Sequence, residues 1–196
     1  MNKLMGFYEL KESDLPTVPW QTFENDTVLT SERLWTIRSA VHRGNDLSLP
    51  RMVGAKADEA GSFAMNLKKR LGDNGMVIYY PYFCAEKSGT LQVLWNRYVI
   101  EAVEADLWNL VTESKCDVTI DADGENVKIS GDKEFLKEDE LEVLRKHIPA
   151  VKRMFRDELL EGKSVLLEWS FAYDCGSDKT RIGNPYLVFY EARTLN

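Results

Sequence analysis

Three charged residues interrupt two apolar stretches near the C-terminal end of the chain. Glu168 lies within 166–170, and Glu191 and Arg193 lie within 185–193. A carboxylate or guanidinium buried in or beside a strand is costly unless it meets a metal, a phosphate or an opposite charge. These residues are therefore candidates for a site that binds a cation and an anion together.

The two stretches predict a pair of antiparallel strands joined by a turn at 175–178. Because side chains alternate between faces, Glu191 and Arg193 share one face, and Glu168 on the neighbouring strand is expected beside them. Two adjacent carboxylates suit Mg²⁺, and a guanidinium suits phosphate oxygens held by that metal. The alternative is that Glu168 and Arg193 form a simple ion pair on a solvated face and bind no ligand. The sequence leaves both possibilities open.

Size and charge narrow the classes of protein to consider. The chain has 196 residues, of which 44% are hydrophobic, so it can bury a proper core. Its formal net charge of -7 argues against a nucleic-acid partner, which requires clustered Lys and Arg.

The cysteines and the apolar segments indicate the cellular compartment of the protein. Cys84, Cys116 and Cys175 lie far apart in sequence without a Cys-x-x-Cys spacing, so they indicate neither a zinc site nor a disulfide framework. The first ten residues lack the pattern of a signal peptide, and no apolar run approaches the ~20 residues that span a bilayer. We therefore expect a cytoplasmic protein without a membrane partner.

The remaining pattern predicts an α+β fold with mostly antiparallel strands and packed helices. Residues 1–30 are expected to be irregular, with Trp20 and Phe23 as anchors. A helix is predicted at 56–71, and a longer one at 139–160 with a kink or break at Pro149. Strands are expected at 31–38, 76–83, 89–94, 97–103, 117–120 and 126–129, followed by the terminal pair.

The terminal strands resemble the end of the ATP-binding domain of phosphoenolpyruvate synthase and pyruvate phosphate dikinase. In that family a Glu-Trp-Ala strand is followed by a strand ending in Gln-Ala-Arg-Pro, and here the residues are 168–170 and 191–194. Further landmarks follow the family's order, so the resemblance covers roughly residues 35 to 195. They are the segments 37–40 with 45–47, 76–91, 99–103 and the helix region 136–160.

The resemblance implies a single ATP-grasp-like domain over 1–196, with two lobes around a cleft. Residues 1–75 would contribute the N-terminal lobe portion and 76–196 the C-terminal one. It also implies ATP and Mg²⁺ as cofactors. The implied roles are metal binding by Glu168 and Glu191, phosphate binding by Arg38 and Arg193 with Arg193 also catalytic, and an adenine or ribose contact by Glu101, for which a strand-edge charge is an equal alternative.

The implied activity is a phosphotransferase (kinase-type) step onto a partner protein that carries the phosphoacceptor, or onto a small acceptor. The chain departs from the family where a glycine-rich loop is replaced by 51–54 and a second glycine loop by 104–109. Glu191 and Thr194 stand where the family has Gln and Pro. Two alternatives therefore stay open: a degenerate, non-catalytic interaction or regulatory module, and a small-molecule binding protein that uses an aromatic cleft at 79–83.

Overall fold

The computed structural model describes residues 1–43, 49–107, 110 and 116–196. These residues form an α+β fold of two sheets with packed helices, which confirms the predicted class. All strand pairs within the two sheets of this part of the chain are antiparallel. The segment 45–47 and the end of 104–109, both used in the family comparison, lie outside the described residues.

The strands divide between a four-stranded sheet of order β1-β4-β2-β3 and a six-stranded sheet of order β10-β9-β5-β6-β7-β8. The first sheet contains β1 (Gln21–Thr22), β2 (Trp35–Val41), β3 (Met52–Ala55) and β4 (Gly75–Pro81). The second contains β5 (Phe83–Val93), β6 (Arg97–Glu104), β7 (Val118–Asp123), β8 (Asn126–Gly131), β9 (Ser164–Cys175) and β10 (Arg181–Leu195). The division that was expected at residue 75 falls at the start of β4, and because β4 pairs with β1 and β2, the four-stranded sheet contains residues from both sides of that division.

The described helices are α1 (Lys3–Lys11), α2 (Ala57–Leu71), α3 (Glu138–Arg145), α4 (Ile148–Met154) and α5 (Arg156–Leu160). The predicted break at Pro149 is confirmed, since Pro149 lies in the first turn of α4, where its missing N–H costs nothing. The region 138–160 therefore forms three short helices. No helix in the described residues is both long enough and apolar enough to cross a bilayer.

The prediction that residues 1–30 are irregular is wrong at α1. Asn2 caps this helix by accepting a hydrogen bond from the backbone N–H of Met5, at 3.1 Å. An added Cβ on Gly6 would lie 1.8 Å from the backbone oxygen of Ala192, so a glycine is required where α1 crosses β10. A helix this short is marginal in isolation, and its packing on β10 explains why it forms.

Three apolar clusters hold these layers together. The largest lies between α3–α5 and one face of the six-stranded sheet, and another lies between α2 and the four-stranded sheet. The third joins α1 to both sheets and includes Phe7, Ile78 and Val188. The predicted anchors Trp20 and Phe23 are both buried, at 3% and 2% exposure.

The pairing of β9 with β10 fixes which side chains share a face. Glu191 is the register partner of Glu168, whereas Phe189 pairs with Trp169. Tyr190 is therefore the extra residue of a β-bulge, and a bulge lets two consecutive side chains point toward the same side. Here both Tyr190 and Glu191 face the cavity between the sheets, on the side opposite α3–α5.

Candidate active site between the two sheets

A cavity of about 980 Å³ lies between the two sheets, within the size range of sites for small ligands. Strand β2 contributes Thr36 and Arg38 from the four-stranded sheet, while β9 and β10 contribute the facing wall. Its charged lining residues in the described chain are Lys3, Arg38, Arg51, Asp106, Glu168, Glu191 and Arg193.

A buried ion pair joins the two walls of the cavity. The guanidinium of Arg38 donates to Oε2 of Glu191, and its second terminal nitrogen donates to the backbone oxygen of Tyr190 at 3.4 Å. Burial by itself lowers the pKa of Arg38, but attraction by Glu191 and nearby groups outweighs it, so the pKa is raised overall. Arg38 therefore stays charged although only 7% of the residue is exposed.

Lys3 of α1 adds a second cation to the same carboxylate. Its Nζ lies 3.2 Å from Oε1 of Glu191, and the Glu191 side chain is only 1% exposed. Oε1 lacks a hydrogen bond of good geometry, so this contact is an ion pair without directional bonding. Both oxygens of Glu191 are thus committed to cations of the protein itself.

Glu168 has a different environment from its register partner. Its pKa is raised to about 7, first by burial and then by the Glu191 carboxylate, while Arg38, Lys3 and Arg193 oppose the rise. No ion pair joins Glu168 to a cation within the described residues. The simple Glu168–Arg193 ion pair considered from the sequence is therefore not formed, and Glu168 can change its charge near neutral pH.

Arg193 brings unused hydrogen-bonding capacity to the cavity. It lines the cavity, and its Nε is buried without a hydrogen-bond partner. Among the residues that the structure describes, Arg193 forms no ion pair, and its attraction to Glu168 is exerted through space. A buried guanidinium nitrogen without an acceptor is costly, and an anion in the cavity would satisfy it.

Aromatic side chains form the apolar part of the wall. The rings of Tyr82 and Phe83 are stacked 6.4 Å apart, and Phe83 lies 5.7 Å from the ring of Tyr190. Burial raises the pKa of Tyr80 and also that of Tyr190, so both hydroxyls stay protonated. This wall offers flat apolar surfaces beside the charged groups.

Four of the five residues predicted from the sequence line this cavity: Arg38, Glu168, Glu191 and Arg193. Glu101 does not line it. Its carboxylate accepts a hydrogen bond from Thr90 at 3.2 Å, and Thr90 is the register partner of both Glu101 and Glu168. Glu101 thus lies two strands from Glu168 in one row across the sheet, beyond the cavity lining.

The residues suit a magnesium ion that arrives with phosphate oxygens better than one held by protein alone. No group of three or more His, Cys, Asp or Glu side chains is arranged to bind a metal in the described residues. Mg²⁺ commonly uses one or two carboxylates plus substrate phosphates and water. Glu168 fits that requirement, whereas Glu191 is already bound by Arg38 and Lys3.

Lys3 and Tyr190 also line the cavity, but they were not predicted from the sequence as site residues. Lys3 belongs to a helix that was not predicted, and Tyr190 faces the cavity because of the bulge. The helix could have been found from Asn2 followed by apolar residues at 4, 7 and 10. No sequence signal marks the bulge.

Comparisons with known proteins do not assign the chain to a family. A scan of the chain against protein-family models finds no match, and a search of curated proteins also finds none. The functional argument therefore depends on the cavity and its residues.

Proposed function

We propose that the cavity binds a nucleoside triphosphate, ATP, together with Mg²⁺. In this proposal the chain is a reduced, stand-alone ATP-grasp-like protein, similar to the nucleotide-binding domain of phosphoenolpyruvate synthase and pyruvate phosphate dikinase. Its two sheets act as two lobes around the cleft.

The observation that carries the proposal is the unpartnered Nε of Arg193 in a cavity that also contains Glu168. Residues of the protein neutralise Glu191 but leave Arg193 without an acceptor. Polyphosphate supplies acceptors for a guanidinium, and the metal that accompanies it supplies a cation for Glu168. A cation alone would leave the Nε of Arg193 without an acceptor.

Each residue then has a distinct task. Glu168 binds the metal in its deprotonated form, and Arg193 donates to the phosphoryl oxygens and balances their charge. Arg38 keeps Glu191 in place and adds positive potential to the phosphate end of the cavity. The aromatic wall around Phe83 provides a surface on which a base can stack.

Bound ATP would supply a transferable terminal phosphoryl group. The acceptor in this proposal is a histidine of a partner protein or a small molecule. The protein's contribution to such a step is positioning and charge balance, which dominate catalysis of phosphoryl transfer.

Thermal unfolding with and without Mg-ATP tests the proposal. At a ligand concentration of 100 times Kd, the folded state gains about 2.7 kcal/mol, which for a chain of this size raises Tm by about 5–10 °C. Arg193→Ala should abolish this rise while leaving the Tm without ligand nearly unchanged, because Arg193 has no ion pair in the described structure to lose.

Arg97→Ala is the matched control. Arg97 pairs with Asp121 on the solvent-exposed side of β6 and β7, outside the cavity. This variant should keep the full Mg-ATP response. Absence of a response in the unmodified protein, or a full response in Arg193→Ala, would refute the proposed site.

A non-catalytic interaction or regulatory module is the second candidate function. The complete neutralisation of Glu191 by Arg38 and Lys3 favours it, because this arrangement stabilises the cavity without a ligand. Asp106, another cavity residue, also adds negative charge that would repel a triphosphate. A protein with this role would show no stabilisation by Mg-ATP at any concentration.

A further inference from the structure

Two of the three cysteines meet in the fold although they are far apart in sequence. Cys84 is near the start of β5 and Cys175 is the last residue of β9, and their Sγ atoms are 2.6 Å apart. The pair lies where β5, β9 and β10 run side by side. Phe83, the neighbour of Cys84, contributes to the cavity wall.

The sheet register explains the approach of the two side chains. Cys84 is the register partner of Tyr173, so Cys175 is its diagonal neighbour two positions further along β9. Side chains two residues apart on a strand share a face, and diagonal neighbours on adjacent strands are within reach of each other. Cys175 in turn pairs with Arg181 at the beginning of β10.

We propose that Cys84 and Cys175 form a reversible intrachain disulfide. A disulfide bond measures about 2.05 Å, so only a small movement of the two sulfur atoms is required. The register keeps both side chains on one face, which is the arrangement that cross-linking needs.

Shared binding of a zinc ion fits this geometry less well. Two thiolates at about 2.3 Å from one tetrahedral zinc are separated by about 3.8 Å, which is more than the distance found here. No further His, Cys, Asp or Glu completes a metal site around the pair within the described residues. The distance between the two Sγ atoms therefore fits a disulfide better than a shared zinc ion.

The two thiols have different roles in the reaction. Cys84 is partly exposed, whereas Cys175 is 8% exposed. The pKa of Cys175 is raised to about 12, first by burial and then by its contact with Cys84. Cys84 is therefore the sulfur that meets an external oxidant first.

A small disulfide such as glutathione disulfide is a sufficient oxidant. The thiolate of Cys84 attacks one of its sulfurs, which forms a mixed disulfide and releases one glutathione thiolate. Cys175 then loses its proton and attacks Sγ of Cys84, and the second glutathione leaves. The protein thus loses two protons and two electrons, and glutathione disulfide becomes two glutathione thiols.

The experiment treats the reduced protein with glutathione disulfide and then alkylates the remaining thiols. The chain contains three cysteines, so we expect labelling to fall from three sites to one. The intact mass should decrease by two hydrogen atoms before alkylation, and peptide mapping should join the segments that contain Cys84 and Cys175. A dithiol reductant should restore all three labelled sites.

Cys116→Ser is the matched control, since Cys116 is exposed and lies beside β7, away from the pair. This variant should form the disulfide as the unmodified protein does, whereas Cys84→Ser should not. Persistence of three labelled thiols, glutathione adducts without cross-linking, or a bond to Cys116 would overturn the proposal. Because mapping of the unmodified protein decides the question, a variant that fails to fold does not prevent the test.

Discussion

The two faces of strand β9 show how one sequence pattern serves two purposes. Leu167 and Trp169 point toward α3–α5 and are fully buried among apolar side chains. Glu168 and Ser170, which alternate with them, point into the cavity. The comparison teaches that the apolar face holds the sheet in place, so that the opposite face can carry buried charges, which the protein then has to pair.

The two faces also contribute to stability through different interactions. On the helix side, stability depends on apolar area and packing, which tolerate substitutions of similar volume. On the cavity side it depends on pairing each buried charge, and Glu168 is left without a direct partner in the described structure. Groups kept in a costly state are typical of functional sites.

The largest effect is expected from breaking the charge pairing on the cavity face. Glu191→Leu leaves Arg38 buried without its counter-charge, which should lower the free energy of unfolding by about 3–5 kcal/mol. Chemical denaturation at neutral pH measures this change.

The double variant Arg38→Met with Glu191→Leu is the control for this prediction. It removes both charges and should recover most of the lost stability, because an apolar pair can replace a buried ion pair at little cost. If the double variant is as unstable as the single one, the loss comes from packing or from Lys3, which also loses the Glu191 carboxylate, and the contrast between the faces is weakened.

The next effect compares neighbouring leucines on the two faces. Leu167→Ala creates a cavity in the core beneath the helices and should cost about 2–5 kcal/mol. Leu166 is partly exposed on the other face, so Leu166→Ala should cost less than half as much. Equal losses in the same denaturation experiment would show that both faces contribute similarly to the core.

The smallest expected effect is the pH dependence of stability that Glu168 causes on the cavity face. The pKa of Glu168 rises from 4.5 to about 7 on folding, so between these values the folded state binds more protons than the unfolded state. The ionisation of Glu168 therefore lowers the free energy of unfolding as pH rises through this window. The glutamine in Glu168→Gln does not ionise, so the variant lacks this loss. We expect the variant to be more stable than the unmodified protein by about 1–3 kcal/mol at pH 8 and similar to it at pH 4.5.

Unfolding curves across this pH range test that expectation. An unchanged pH dependence in Glu168→Gln would mean that another group titrates there. The same proton must leave before Glu168 can bind a metal, so Mg-ATP affinity should also increase between pH 6 and pH 8.

Local patterns were sufficient to predict the terminal strands and the common face of Glu191 and Arg193. They were also sufficient for α2, where apolar residues repeat at helical spacing, and for the break at Pro149. These features depend on residues close together in sequence, where backbone geometry decides the outcome.

Long-range contacts could not be predicted in the same way. Arg38 and Glu191 are separated by 153 positions, and their pairing depends on how the two sheets pack. The same is true of Cys84 and Cys175, whose 91-residue separation suggested unrelated cysteines. The ion pair of Lys3 with Glu191 also depends on how α1 packs on β10, although Asn2 and the apolar residues at 4, 7 and 10 mark the helix itself in the sequence.

The bond between Arg38 and Glu191 also constrains the order of assembly during synthesis. Strand β2 leaves the ribosome long before β10, so its guanidinium has to remain hydrated until the late carboxylate emerges. A fragment that ends before Glu191 would therefore lack this contact between β2 and β10, and its Arg38 would have no counter-charge from β10.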